Sequence, residues 1–268
     1  LDRNAPQSPD LLPEAFCFQP ACYNKQKEAR IMKVWQQYLE EEIRALRQIE
    51  STQQEAIESA ARILADCTKK EGIIRVFGCG HSHLIADDVF YRSATLGNVQ
   101  AVLEEAVTGN TQITKSGFLE KMEGYAEKII DYYRFEPNDV VICISNSGNN
   151  AVTLEFAKIC QERGFPVIVL TNTEYSATLK PRHSSGKHLM DFGDVVISNC
   201  SAIGDAAVAI EGLPMKVGST SSIPFIFLIN AILAEAVDLC VKEGFIPDVY
   251  YNGSLRVNNP ALGEHNFA

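Results

Sequence analysis

Three segments of the chain collect small, hydroxyl-bearing and amide residues that could hold an anion without the help of a cation. The first is Gly78-Cys79-Gly80-His81-Ser82-His83, the second Ser145-Asn146-Ser147-Gly148-Asn149-Asn150, and the third Gly218-Ser219-Thr220-Ser221-Ser222. The glycines permit a tight turn and close approach of backbone to a ligand. Where such a turn opens a helix, unpaired N–H groups and the helix dipole favour negative charge. One turn of this kind is ordinary helix capping. Three in one chain, the last with four consecutive hydroxyl residues, exceed what capping needs. None carries a P-loop lysine, and His83 stands where the dinucleotide fingerprint would need its third glycine. The chemistry expected is a phosphate gripped by neutral donors: Gly80, Ser82, Ser145, Ser147, Asn149, Asn150, Ser219, Thr220, Ser221 and Ser222.

Acid–base groups lie near these turns. His81 and His83 flank Ser82, Glu104 and Glu105 follow an apolar run, His183 sits in a Ser/Gly-rich loop, and Glu264 and His265 stand in a polar tail. Such groups can move a proton on a ligand held in the turns when they lie within hydrogen-bond reach of it. Glu104, His83, His183 and His265 are the catalytic candidates. Each has a plainer reading: a helix cap for Glu104, a structural ring for His83, a solvated loop residue for His183, a free tail for His265. Asp205 either caps a helix over 203–210 or binds a sugar hydroxyl. Asp87 and Asp88 are neighbours that would point apart on a helix. No Cys/His spacing resembles a metal site, so no metal and no cofactor is expected.

The elements that must position these residues are short. Apolar, β-branched runs at Ile73–Phe77, Val99–Leu103, Val140–Ile144, Val167–Leu170 and Val195–Ile197 alternate with helical stretches. That rhythm predicts an α/β fold: a three-layer, doubly wound sheet of about five parallel strands, buried on both faces. Helices are expected over about 82–96, 116–133, 149–163, 203–210 and 220–243. In such sheets ligands bind beyond the carboxyl ends of the strands, which is where the first two hydroxyl turns fall. Upstream, Ile31, Trp35, Leu39, Ile43, Leu46 and Ile49 recur at helical spacing. A capping box, Thr52 with Glu55, then starts a second helix bearing Ile57, Ala60, Ala61, Leu64 and Cys67. The domain is expected over 28–268, with a helical hairpin at 28–69 whose apolar stripes need a partner. Residues 1–27, with Pro6, Pro9, Pro13 and Pro20, read as an extended arm.

The 268 residues, 46% of them hydrophobic, suffice for one core with a helical extension. A net charge of −10 disfavours nucleic acid, whose phosphate backbone needs Lys and Arg. The apolar stretch Ile223–Val241 is interrupted by Asn230, Glu235 and Asp238, so it reads as a buried helix and no membrane is expected. The N-terminus shows no basic region followed by an apolar one. None of the eight cysteines forms a CxxC pair. Reduced, buried thiols in a cytoplasmic protein are the expectation.

The order GxGxS, SxSGxx and GSTSS on an alternating α/β chain resembles the SIS (sugar isomerase) domain family, over about 30–265. The hairpin resembles the phosphoheptose-isomerase-like branch. His183-Ser184-Ser185-Gly186-Lys187, Gly204-Asp205-Ala206-Ala207 and Gly263-Glu264-His265-Asn266 are similar to a bacterial subgroup of it. The resemblance implies that Ser82, Ser145, Ser147 and the Ser219–Ser222 cluster bind the phosphate of a sugar phosphate. Family members often have Thr where Asn150 stands. Phosphoheptose isomerases and muramic acid phosphate etherases place a glutamate on the helix after GxGxS; here Arg92 stands at about that position, so a base must come from elsewhere. Three functions stay open: an aldose–ketose sugar-phosphate isomerase, a lyase or deglycase on the same fold, and a phosphosugar sensor without turnover. The expected partners are a small sugar phosphate and further copies of the chain, in a homodimer or homotetramer.

Overall fold

The structure, a computed structural model, describes residues 32–252. The proposed arm at 1–27 and the tail residues Glu264 and His265 lie outside the described residues. In chain order the elements are α1 (Val34–Thr52), α2 (Gln54–Lys69), β1 (Ile74–Gly78), α3 (His83–Val89), β2 (Val99–Val102), α4 (Glu105–Thr108), α5 (Ile113–Leu119), α6 (Ala126–Tyr133), β3 (Val140–Ser145), α7 (Ala151–Glu162), β4 (Val167–Thr171), α8 (Thr173–Thr178), β5 (Val195–Ser198) and α9 (Ser222–Lys242). The five strands form one sheet in the order β2-β1-β3-β4-β5, and every pairing is parallel. All five expected strands are present within one or two residues.

Every residue of β1, β3 and β4 is buried, which is why these strands read as continuous apolar runs rather than alternating ones. Side chains still divide by the two-residue period of a strand. Ile74, Val76, Ile142, Ile144, Ile168 and Leu170 pack against α2 and α9. Phe77, Val141, Cys143, Val167 and Val169 pack against α6 and α7 on the other face, where Phe77 stacks on Phe156 at 4.1 Å. The six cysteines among the described residues are free and buried.

At the amino end of the sheet one ion pair is sealed inside. Arg75 Nη2 lies 2.8 Å from Asp139 Oδ2, with side chains 5% and 1% exposed. Asp139 also accepts from the backbone N–H groups of Ile73 and Glu136, at 2.9 and 3.1 Å. The guanidinium lies over the Phe135 ring. The carboxylate therefore ties the start of β1 to the turn before β3.

Four helix expectations change. The stretch 203–210 is not helical: Gly204 (φ +81°) and Asp205 (φ +57°) turn the chain left-handed, and Val208 then bridges antiparallel to Val217. The expected helix 116–133 is two, α5 and α6, with Gly124 (φ +84°) between them. The helix after β1 ends at Val89, so Arg92 lies beyond it and pairs with Asp88. Thr52 does not cap α2; it closes α1 by donating to Gln48 O at 2.7 Å.

Helices α1 and α2 meet at Gln53 and share few contacts. Helix α2 lies along α9. Helix α1 is tied to the loops after β5 and before α9 through Arg44, which donates to Cys200 O at 3.0 Å, and Tyr38, which donates to Ser219 O at 2.6 Å. Among the described residues α9 alone is long and apolar enough to cross a membrane. Its Phe225, Leu228, Ile229, Ile232 and Ala236 face lies in the core.

Candidate functional site

The strand order reverses between β1 and β3, which sit side by side with Gly78 opposite Ile144. This is the switch point at which an open α/β sheet leaves a crevice. The first two hydroxyl turns both emerge there. A cavity of about 470 Å³ lies over them, lined by Gly80, Ser82, His81 and His83 from the first turn and Ser145, Asn146, Ser147 and Asn150 from the second. No Lys or Arg lines it.

The turns are shaped by their backbones. Gly80 and Gly148 hold φ of +55° and +59°, a region that side-chain-bearing residues enter at a cost of about 1–2 kcal/mol. A Cβ on Gly148 would also stand 3.0 Å from Ser176 Oγ. Ser145 Oγ accepts the Gly148 N–H at 3.2 Å and fixes the second turn. Asn146 Oδ1 accepts from Asn199 and Ser201, linking the ends of β3 and β5. The hydroxyls of Ser82 and Ser147 have no partner among the described residues and remain free for a ligand. Helix α7 begins at Ala151, directly behind the second turn, and points its positive end into the crevice.

The third cluster behaves differently. Thr220 N and Ser221 N donate to Asp205 Oδ1 at 2.9 and 2.8 Å, while Ser219 Oγ and Ser221 Oγ donate to Asp205 Oδ2 at 3.1 and 3.0 Å. Asp205 thus ties down the turn that leads into α9, not a helix at 203–210, and already takes up the donors of this nest. Of the cluster only Ser221 reaches the cavity, together with Asp205. Thr220 is fully buried and accepts from Ala202 N.

The profile of the SIS domain family matches residues 37–172. A UPF0309 protein of Listeria monocytogenes is 34% identical over 228 residues, covering 84% of this chain and 92% of its own length. The chain belongs to the SIS domain family. The Vibrio vulnificus NanR protein complexed with ManNAc-6P shares the fold at 15% identity and a TM-score of 0.51, over 80% of this chain and 66% of its own. A phosphoheptose isomerase from Neisseria gonorrhoeae superposes with a TM-score of 0.47 at 21% identity, over 77% of this chain and 95% of its own.

Within this SIS domain several expected site residues stand apart from the cavity. Asn149 is 2% exposed and ties down the loop after α8, donating to Lys180 O and accepting from Arg182 N at 3.0 Å each. Ser222 is the first residue of α9 and is absent from the cavity wall. Glu104 caps α4, and its Oε1 accepts from Tyr125 Oη at 2.7 Å. His83 does line the cavity, but Nδ1 donates to Gly80 O, and Nε2 is buried without a partner.

His183 sits outside the cavity with Glu123 and Glu155, their ligand-type atoms within 4.8 Å of one another. Nδ1 is engaged by the hydroxyl and the N–H of Ser185, at 2.8 and 3.1 Å, and Nε2 lies 3.3 Å from Glu155 Oε1. Ser184 donates to Glu123 through both its hydroxyl and its N–H; these bonds hold the Glu123 carboxyl below the usual range. The cluster is a hydrogen-bonded clasp between the 123–124 turn and the 183–185 loop.

The sequence reading did not find Glu120. Its carboxylate lines the cavity beside the first turn, with Oε2 3.8 Å from where a Cβ on Gly80 would stand. It has no side-chain hydrogen-bond partner among the described residues, and burial raises its pKa against the opposing pull of Lys121 and Arg182. A second buried carboxyl, Glu42 on α1, is 4% exposed with both oxygens unpartnered. Burial raises its pKa, and nearby Asp205 adds to the shift.

Proposed function

We propose that this SIS domain binds an open-chain sugar phosphate in the cavity over β1 and β3 and interconverts its aldose and ketose forms through an enediol. The observation that carries the reading is the convergence of two turns with free hydroxyls, Ser82 and Ser147, at the switch point. They supply neutral donors to a phosphate, beside the N-terminus of α7. The carbon skeleton then extends toward Gly80, Thr108, Asn110 and Glu120 on the same wall. The fold-neighbour NanR is complexed with ManNAc-6P, and the same class of ligand is proposed here.

The test is incubation with a panel of aldose and ketose phosphates in heavy water. Deuterium entering at C1 or C2 with no other change of mass is the expected result. Loss of a substituent would replace the isomerase with a lyase or deglycase, and tight binding without exchange would leave a sensor.

The domain is also proposed to work as a homodimer or homotetramer. The stripe Trp35, Leu39 and Ile43 on α1 is 61%, 46% and 42% exposed, and Ile223, Ile226 and Phe227 on α9 are exposed as well. Patches of this kind are hidden in assemblies. Sedimentation at micromolar concentration is expected to give at least a dimer; a monomer there would refute it.

A further inference from the structure

We infer that Glu120 is the catalytic base of this site. The inference rests on the reading above, that the cavity takes an open-chain sugar phosphate. Among the described residues, six with titratable side chains line the cavity: Cys79, His81, His83, Glu120, Tyr175 and Asp205. Burial pushes the Cys79 thiol up to about 12, so it stays protonated. Tyr175 offers a phenol hydroxyl, a hydrogen-bond donor and acceptor and not a carboxylate or imidazole. The His83 ring is committed through Nδ1, and its buried Nε2 lies 3.9 Å from Asp87 Oδ2. Both oxygens of Asp205 are filled by donors from Ser219 to Ser221. His81 and Glu120 remain, and His81 is exposed on the solvent side of its turn.

Glu120 differs from His81 in being registered to the phosphate turn. Its N–H donates to Ser116 O at 2.9 Å, and its carbonyl accepts from Val152 N at 3.1 Å. Val152 stands in the first turn of α7, immediately after the proposed phosphate cradle. A phosphate fixed at Ser147 therefore sets the distance from the sugar carbons to this carboxylate. Burial gives the carboxylate a raised basicity once it is ionised, and a free oxygen faces the first turn.

The step balances with water as the one co-reactant. Glu120 takes the proton from C2 of the open-chain aldose. The C2–H electrons form the C1=C2 bond, and the C1=O π electrons move to O1, which gains a proton from water. The enediol then gives up its O2 proton to water, and the carbonyl forms at C2 as C1 receives the proton held on Glu120. Glu120 and water end as they began, and the sugar has become a ketose.

The experiment uses the full chain with erythrulose 4-phosphate, ribulose 5-phosphate, fructose 6-phosphate and sedoheptulose 7-phosphate as probes in heavy water. For the probe with the fastest exchange, Glu120→Gln is expected to slow deuterium entry by about 10²–10⁴-fold, the usual contribution of a general base. Its thermal shift with that probe should stay close to wild type, because Glu120 lies outside the phosphate cradle. Glu120→Asp is expected to retain partial exchange. The wild-type rate should rise with pH through a value above the ordinary glutamate range, since the base must be ionised, and Glu120→Gln should lose that limb. Exchange surviving in Glu120→Gln, with the wild type active, would overturn the base while leaving the isomerase reading intact. A wild type that binds a probe but exchanges none would overturn both.

Discussion

Ser147→Ala is expected to weaken sugar-phosphate binding about 10–100-fold, the loss of one hydrogen bond to a charged group, about 1.5–3 kcal/mol. The Ser147 hydroxyl lines the cavity and has no partner of its own among the described residues. Its removal subtracts a ligand contact and nothing else. Ser145→Ala removes a hydroxyl that also holds Gly148 N–H, so it should weaken binding and loosen the turn together. Ser219→Ala is the informative contrast. That hydroxyl is spent on Asp205 and does not reach the cavity, so affinity should stay within about twofold, inside the scatter of surface substitutions. Calorimetry on the three variants, with the probe that most stabilises the wild type, checks the order. Equal losses at Ser147 and Ser219 would show that all three clusters hold the ligand.

Asp139→Ala is expected to lower folding stability by about 3–5 kcal/mol, the range for breaking a buried ion pair from one side. Arg75 would stay charged at 4% exposure, with Gln100 as its remaining side-chain partner and the Phe135 face beside it. The N–H groups of Ile73 and Glu136 would lose their acceptor. Against a typical total of about 5–15 kcal/mol, this removes a large share of the stability without touching the cavity, which lies at the other end of the strands. Asp139→Asn keeps an acceptor and should lose less. Urea midpoints measure both; a loss below about 1 kcal/mol for the alanine variant would mean that the pair is solvated, as exposed pairs are.

The sheet was legible because each strand is an unbroken β-branched run, and burial on both faces demands that pattern. The two converging turns were legible because glycine and hydroxyl residues follow those strands directly. What escaped depends on pairing across the chain. The alanine-rich 203–210 stretch has helical composition, yet the left-handed Gly204 and Asp205 send it into a ribbon. Ser219 to Ser222 showed donors, but a sequence does not show that Asp205, many residues away, supplies the acceptor. Glu104 looked catalytic from its place after a strand; the structure gives its carboxylate to the cap of α4 and to Tyr125, which arrives from the start of α6. Glu120 was hidden inside a stretch read as one continuous helix, and its value lies in contacts to Val152 and Gly80 that no local spacing encodes.

The carboxylate of Asp205 also decides which way round a ligand can enter. A group tethered by a short loop competes at an effective concentration on the order of millimolar. Any free anion seeking the N-terminus of α9 must displace it, whereas no group among the described residues competes for the hydroxyls of Ser82 and Ser147. The two ends of the cavity are therefore unequal, though both are rich in serine. On the proposed reading a sugar phosphate places its charge against β1 and β3, and its uncharged end meets a wall whose aspartate already has both oxygens hydrogen-bonded by its neighbours.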